Sequence, residues 1–475
     1  MRKTFLLTAL ICLLSFSASL APTALGAEKK IATNEPFDAH VLVDGLDNPW
    51  NIHYGPDNML WVTERTGKRI VRVNPENGNK KVAVTIDEVL AGGGHQGILG
   101  MALAPDFMKA NSKNYVYVLY TYKPAVNSPE LGYKKLVRFE YDTKSETLKN
   151  PATVLEKLPA GDDHNGGRVV IGPDGMIYVS FGELGHNQFA HFREPIEAQR
   201  LPTSAEVMNQ DWQAYVGKVL RISPDGSVPF DNPMLNGVKS HVFTYGHRNP
   251  QGLAFVDDKL YSCEHGPSTD DELNLLESGG NYGWPHVAGF IDDQAYKYAN
   301  WSKAPANANL QWDANVIDPS VPIQNETDWL VPLNFKAPVK TFHTVRTGYN
   351  FHDGDAYGGL GYVMWPTVGP SSLMYYPENG PIKEWRNSLL ITTLKNGTLY
   401  KVRLDSTKDN VQGDVTTFFH TPNRYRDICM SPDMKTIFII TDNGGSTRGY
   451  DMQPTDKNQN PGAIIVLKYN PKTAK

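Results

Sequence analysis

Six times along this chain a tight turn or loop feeds a run of β-branched and aromatic residues, and no long amphipathic helix separates one unit from the next. Gly55-Pro-Asp-Asn58, Ala104-Pro-Asp106 and Gly172-Pro-Asp-Gly175 lead into Met59-Leu-Trp-Val-Thr63, Tyr115-Val-Tyr-Val-Leu-Tyr120 and Met176-Ile-Tyr-Val-Ser180. Proline fixes the φ of such a turn and aspartate hydrogen-bonds its own backbone two residues on, so each is a strand reversal rather than a linker. Gly252-Leu-Ala-Phe255 into Lys259-Leu-Tyr-Ser262, Trp385-Arg-Asn-Ser-Leu-Leu-Ile-Thr392 and Ser431-Pro-Asp-Met-Lys-Thr-Ile-Phe-Ile-Ile440 continue the series. An irregular spacing of roughly fifty residues or more marks small antiparallel sheets repeated around an axis. The expected fold is all-β, a propeller of four-stranded blades around one central channel, which explains 475 residues without a domain boundary. One helical stretch is expected, Phe189 to Gln213, where Thr203-Ser-Ala-Glu206 reads as a capping box. Lys297 to Leu333, rich in Asn, Ala, Trp and Pro, reads as a long surface insertion.

Residues 1–27 read as an export signal: Arg2 and Lys3, an apolar run from Phe5 to about Leu20, then small residues in Ala24-Leu-Gly-Ala27. Residues 28–475 hold no further run long enough to cross a bilayer, so the mature protein is expected in the periplasm or secreted, with no membrane span. A formal net charge of −5 and the lack of any Lys/Arg cluster argue against nucleic acid and for a small-molecule partner. Cys12 leaves with the signal; Cys263 and Cys429 remain where a disulfide is permitted, and a bridge and two buried thiols both stand open.

The densest chemistry lies in Tyr245-Gly-His-Arg-Asn-Pro-Gln-Gly-Leu-Ala-Phe255 and, one strand on, Glu264-His-Gly-Pro-Ser-Thr-Asp-Asp-Glu-Leu-Asn274. Arg248 sits on a turn stiffened by Asn249-Pro250. Gly266 and Pro267 offer only backbone oxygens, and the acids Asp270, Asp271 and Glu272 follow, a donor set that suits calcium rather than zinc. Read alone, those acids equally describe a solvated loop.

In Gly161-Asp-Asp-His-Asn-Gly-Gly-Arg168 a histidine stands in a glycine-rich loop just before a strand, and Gly182-Glu-Leu-Gly-His-Asn-Gln188 presents a carboxylate that can orient its ring. His164 and Glu183 are thus a candidate base and its orienter. Tyr362 and Trp365 come just before Thr367 in a segment suited to stacking on a flat ring or sugar face, with core packing the other reading of Tyr362. Lys395 adds a cation. Arg424 and Arg426, two apart on a strand, face one side and can grip one polyanion, or form a solvated face.

Together these segments resemble the soluble periplasmic pyrroloquinoline-quinone (PQQ) glucose dehydrogenases and the related aldose dehydrogenases, from about Leu46 to the C-terminus. The resemblance rests jointly on Gly-His-Arg-Asn-Pro-Gln-Gly252, Gly-Gly-Asn-Tyr-Gly-Trp-Pro285, Trp-Pro-Thr-Val-Gly-Pro-Ser-Ser372 and Asn-Arg-Tyr-Arg-Asp427. It implies a six-bladed propeller with the quinone over the channel mouth. It also implies that His164, beside Asp163, takes the anomeric hydroxyl proton of an aldose, with Glu183 where the family has aspartate. Arg248 and Asn249 are implied at the quinone, Gly266 and Pro267 at its calcium, and Lys395, Arg424 and Arg426 at its carboxylates. Thr367 and Gln188 are implied as lesser contacts, and Tyr362 and Trp365 fall to the substrate side.

A second, structural calcium would use Glu272, Tyr282, Ala288 and Asp292. Two family glutamines are replaced by His95, unless Gln96 serves, and by His265. The implied reaction is glucose-like aldose to lactone by hydride transfer, with electrons passed to an external acceptor, in a homodimer. A calcium-dependent propeller lactonase and a non-catalytic sugar-binding propeller are the alternatives, and neither has use for three cations converging on a polyanion.

Overall fold

Three of the four Pro-Asp turns close by their own side chain: Asp57, Asp174 and Asp433 accept the N–H two residues on, from Met59, Met176 and Lys435, at 3.0–3.3 Å. The residue after aspartate then takes left-handed backbone, φ 57° at Asn58, 76° at Gly175 and 58° at Met434, and the chain reverses into a strand. The computed structural model describes residues 29–33, 35–125, 131–306, 310–314 and 316–472. The expected export signal lies outside the described residues.

The six repeated units are the reversals between the first and second strands of six antiparallel blades, five of them four-stranded and the sixth extended by a fifth strand, Lys29–Ile31. Blade 1 holds Pro49–Tyr54, Leu60–Glu64, Arg69–Val73 and Lys80–Thr85. Blade 2 holds Ile98–Leu103, Tyr115–Tyr122, Tyr133–Asp142 and Thr147–Pro159; blade 3 holds Val169–Ile171, Ile177–Phe181, Lys218–Ile222 and Val242–Tyr245. Blade 4 runs Pro250–Val256, Lys259–Glu264, Asp271–Leu276 and Lys340–Phe342; blade 5 runs Pro370–Tyr376, Ser388–Thr393, Leu399–Arg403 and Thr416–Phe418. Blade 6 is built from both ends of the sequence: Tyr425–Met430, Thr436–Thr441 and Ile464–Tyr469, then Phe37–Val43 paired in register Phe37↔Tyr469 to Val41↔Ile465. The first strands of successive blades touch around the ring and wall the channel.

The core is divided accordingly, because each sheet is apolar on both faces and must bury each against a neighbour. One hydrophobic cluster fills each blade interface, such as Trp61, Met101, Val118 and Tyr141 between blades 1 and 2, and Leu60, Val71, Phe438 and Ile464 between blades 6 and 1. Cys263 and Cys429 are free and buried in blades 4 and 6, so the two-thiol alternative holds.

The capping box forms: Thr203 Oγ1 accepts the Glu206 N–H at 3.2 Å, the Glu206 carboxylate accepts the Thr203 N–H at 2.8 Å, and the helix is Ser204–Met208. Helical turns outside the expected stretch are 3₁₀, the longest being Asp355–Met364, broken at Gly358 with φ 55°. The insertion folds inward at one end. Trp301, Ala304 and Val321 pack with Phe192, Trp312 and Ile317, because a segment this rich in tryptophan must cover its apolar surface.

Candidate active site

In an antiparallel blade the start of the first strand and the end of the second lie at the same end. His95, His164, Arg248, Thr367 and Arg424 all lie just before first strands, while Glu183, His265 and Lys395 follow or lie just beyond second strands. Five different blades therefore bring these residues to one mouth of the channel, around a cavity of about 820 Å³.

His164 is buried, with φ +39°, and its Nδ1 lies 2.6 Å from Glu183 Oε1. The longer acid reaches the ring, and its second oxygen accepts the His186 N–H at 2.8 Å. The Nε2 atom faces the cavity, 3.5 Å from the Gln188 amide nitrogen and 3.8 Å from Asp163 Oδ2. Burial pushes the Asp163 carboxyl up, but His164, His95, the His164 N–H and Arg248 outweigh it and hold it well below the usual carboxylate range. His95 is the residue on the cavity wall, with Nδ1 3.1 Å from Asp163 and burial pushing it down to about 4. Gln96 points away and donates to the Leu131 carbonyl at 3.0 Å.

Arg248 donates to Gln188 Oε1 at 3.0 Å, and its guanidinium stands 5.4 Å from the centre of the Trp284 ring. Asn249 lies just behind and accepts the Gly166 N–H at 3.2 Å. Lys395 Nζ donates to Thr367 Oγ1 and to the Trp365 carbonyl at 3.2 Å. Tyr362 is 39% exposed on the wall near Trp365. Arg424 reaches the wall, but Arg426 does not. Both arginines face the same side as expected, and both close on Asp442, Arg426 through Nε at 2.7 Å and a second nitrogen at 2.8 Å, and Arg424 through Nε at 3.1 Å. A guanidinium this buried takes a carboxylate of its own chain, so of the pair Arg424 is the one presented to a ligand.

The acids after Gly266-Pro267 are buried rather than solvated. Asp271 accepts the N–H groups of Gly266, Val368 and Gly369 at 2.5–2.8 Å, tying the Gly-Pro turn to the Thr367 loop. Burial pushes the Asp271 carboxyl up and the Lys395 ammonium down, each partly offset by the other's charge. Glu272, Tyr282 and Ala288 line a separate cavity of about 10 Å³ together with Glu264. Asn274 donates to both carboxylates, at 2.8 and 2.9 Å. Asp292 lies outside that cavity. Its N–H, with those of Ala288 and Asp293, is held by Glu326 at 3.0–3.2 Å. Among the described residues no three His, Cys, Asp or Glu side chains cluster as metal ligands, so a cation here would rest on carbonyl oxygens with at most two carboxylates.

Sequence reasoning passed over Trp284, Asp442 and Glu326, whose partners lie in other loops, and read Asp271 as a calcium donor or a solvated acid rather than a tie between two loops. It also missed the insertion's share of the wall, where Trp312 meets Phe189 at 4.3 Å. Among the described residues five buried side-chain nitrogens lack a partner, and four of them lie here: Arg248 Nε, Asn249 Nδ2, His265 Nε2 and Trp284 Nε1. Three of those residues line the cavity. Unmet polar atoms in one place fit a polar, flat ligand such as the quinone.

The family model for glucose/sorbosone dehydrogenases matches residues 46–325 and 347–448. Quinoprotein glucose dehydrogenase B of Acinetobacter calcoaceticus is 41% identical over 448 residues, 93% of each chain. Aldose sugar dehydrogenase YliI of Escherichia coli is 29% identical over 305 residues, 62% of this chain and 71% of its own. The PQQ-bound aldose sugar dehydrogenase of Streptomyces coelicolor superposes with a TM-score of 0.59 at 26% identity, over 94% of this chain and 99% of that one. With the family model matching most of the sequence and a 41%-identical relative covered over 93% of its length, the chain belongs to the glucose/sorbosone dehydrogenase family.

Proposed function

We propose that the protein is a quinoprotein dehydrogenase that oxidises the anomeric carbon of a glucose-like aldose to the lactone, with PQQ in the 820 Å³ cavity. When bound, the quinone supplies the hydride acceptor and a calcium ion beside it polarises that acceptor. One observation carries the reading: the His164 ring is fixed through Nδ1 by Glu183 and offers Nε2 to a cavity lined by Arg248, His265 and Trp284, each with a buried nitrogen that has no partner.

With Nδ1–H committed to Glu183, Nε2 keeps its lone pair and takes the proton of the anomeric hydroxyl. Asp163, ionised alongside, steadies the imidazolium that results. Arg248 sets fixed positive charge where negative charge builds. Gly266 and Pro267 would hold the calcium through their carbonyl oxygens, on a turn fastened by Asp271. Lys395, Thr367 and Arg424 would meet the quinone's carboxylates, and the neutralised Arg426 supports Arg424 through Asp442. Tyr362 and Trp365 would flank the sugar. Glu272, Tyr282 and Ala288 would hold a second calcium, a reading supported by two buried carboxylates facing a void about one ion wide.

Electrons leave to an external acceptor, and the protein works in the periplasm or after secretion. Among the described residues no helix is long and apolar enough to cross a membrane. Apoprotein given quinone, calcium, glucose and a redox dye is expected to bleach the dye. His164→Ala is expected to slow this by ~10²- to 10⁴-fold, and a wild-type rate in that variant would overturn the assignment.

A further inference from the structure

Lys134 is the second residue of the third strand of blade 2, its side chain wholly buried. Its Nζ donates to the Asn165 carbonyl at 2.8 Å and stands 4.3 Å from the centre of the Phe181 ring. Among the described residues no carboxylate pairs with it, and burial holds its ammonium well below the usual lysine range. A methionine would fill the same volume without desolvating a charge, so packing does not explain a lysine here.

What it touches does. Asn165 follows His164, and its side chain bridges the loop, accepting the Gly161 N–H at 3.0 Å and donating to the Gly161 carbonyl at 2.6 Å. His164 has φ +39°, backbone that a residue with a Cβ keeps only when its surroundings over-determine it. Gly166 and Gly167 come next, with φ +61° and +103°, and add no stiffness. Phe181 lies two residues before Glu183. One ammonium thus abuts both loops that meet in the His164–Glu183 hydrogen bond.

We propose that Lys134 is a positioning residue for His164, pinning the His164 loop through the Asn165 carbonyl and the Glu183 loop through Phe181; this rests on the reading of His164 as the base.

The test is Lys134→Met in the full chain, with two readouts. In quinone-free protein, the proton in the 2.6 Å His164–Glu183 hydrogen bond should give a strongly downfield NMR resonance, which the variant is expected to shift or broaden while the rest of the spectrum holds. In protein loaded with quinone and calcium, kcat is expected to fall about 10- to 100-fold, the usual effect of losing a group that orients a functional side chain, with KM unchanged. A variant with wild-type kcat and an unaltered resonance overturns the proposal. If the methionine variant does not fold, Lys134→Leu replaces it and the same readouts decide. Should the wild-type protein oxidise no aldose, the enzymatic reading falls while the resonance still tests Lys134.

Discussion

Arg168 and Asp427 meet at 2.8 Å in the middle of the channel, both buried. Arg168 leads into blade 3 and also donates to the carbonyls of Gln251 and Ser371 in blades 4 and 5, at 3.0 and 3.2 Å. Asp427, in blade 6, accepts from Asn51 and from the Ile52 N–H in blade 1, at 2.5 and 2.8 Å. Five blades are thus fastened at one ion pair. The pair also lines a second cavity, of about 500 Å³, walled by the first strands of the same five blades.

Arg168→Met should be strongly destabilising. It leaves Asp427 buried without a counter-charge, a loss of about 3–5 kcal/mol, to be read from urea unfolding of apoprotein. Replacing both partners, Arg168→Met with Asp427→Asn, should recover most of it. A single variant as stable as wild type would show that the pair does not fasten the ring.

Glu183→Gln should preserve the fold and quinone binding yet slow turnover. The amide still accepts from Nδ1–H but carries no charge to stabilise the imidazolium, and a fall of about 10- to 100-fold in kcat is expected. Fluorescence titration with quinone separates this from loss of the cofactor: affinity should stay as in wild type.

Chelation should lower the melting temperature of the quinone-free protein and calcium should restore it. A ligand at 100 times its Kd adds about 2.7 kcal/mol per site. In Glu272→Gln the calcium-dependent increment should shrink, and a melt indifferent to chelator would exclude tightly held calcium.

Acid should act through Asp442. Burial raises this carboxyl, but Arg426 and Arg424 outweigh it and hold it at about 2, against an ordinary 3.8. A carboxyl lowered by folding stabilises above its unfolded value, and that contribution, about 2 kcal/mol here, disappears as pH falls from about 4 to about 2. Stability measured across that window should fall less steeply in Asp442→Asn, and parallel curves would contradict the pairing.

Most of the frame was legible because it is local. A Pro-Asp turn writes its reversal into four residues, and alternation between first and second strands then places every adjoining loop at one mouth. The His164–Glu183 contact was legible for the same reason, spanning one short hairpin of 19 residues. Other contacts were not. Asp442 stands 16 residues beyond Arg426 across an equally short hairpin, but nothing in Asp442-Asn-Gly-Gly445 announces an ion pair, so the arginines read as cations open to a polyanion or to solvent. His95 and Gln96 are adjacent and polar, and only the backbone decides which faces the cavity. The insertion looked external because its polar residues outnumber Trp301 and Trp312, which turn it inward.

Joining Phe37–Val43 to Ile464–Tyr469 has a consequence for biogenesis. The ring can be sealed only after the last strand has been made, so a nascent chain carries an open first strand until synthesis ends. That joint also makes a short C-terminal deletion as damaging as an N-terminal one, since either strips the same seam.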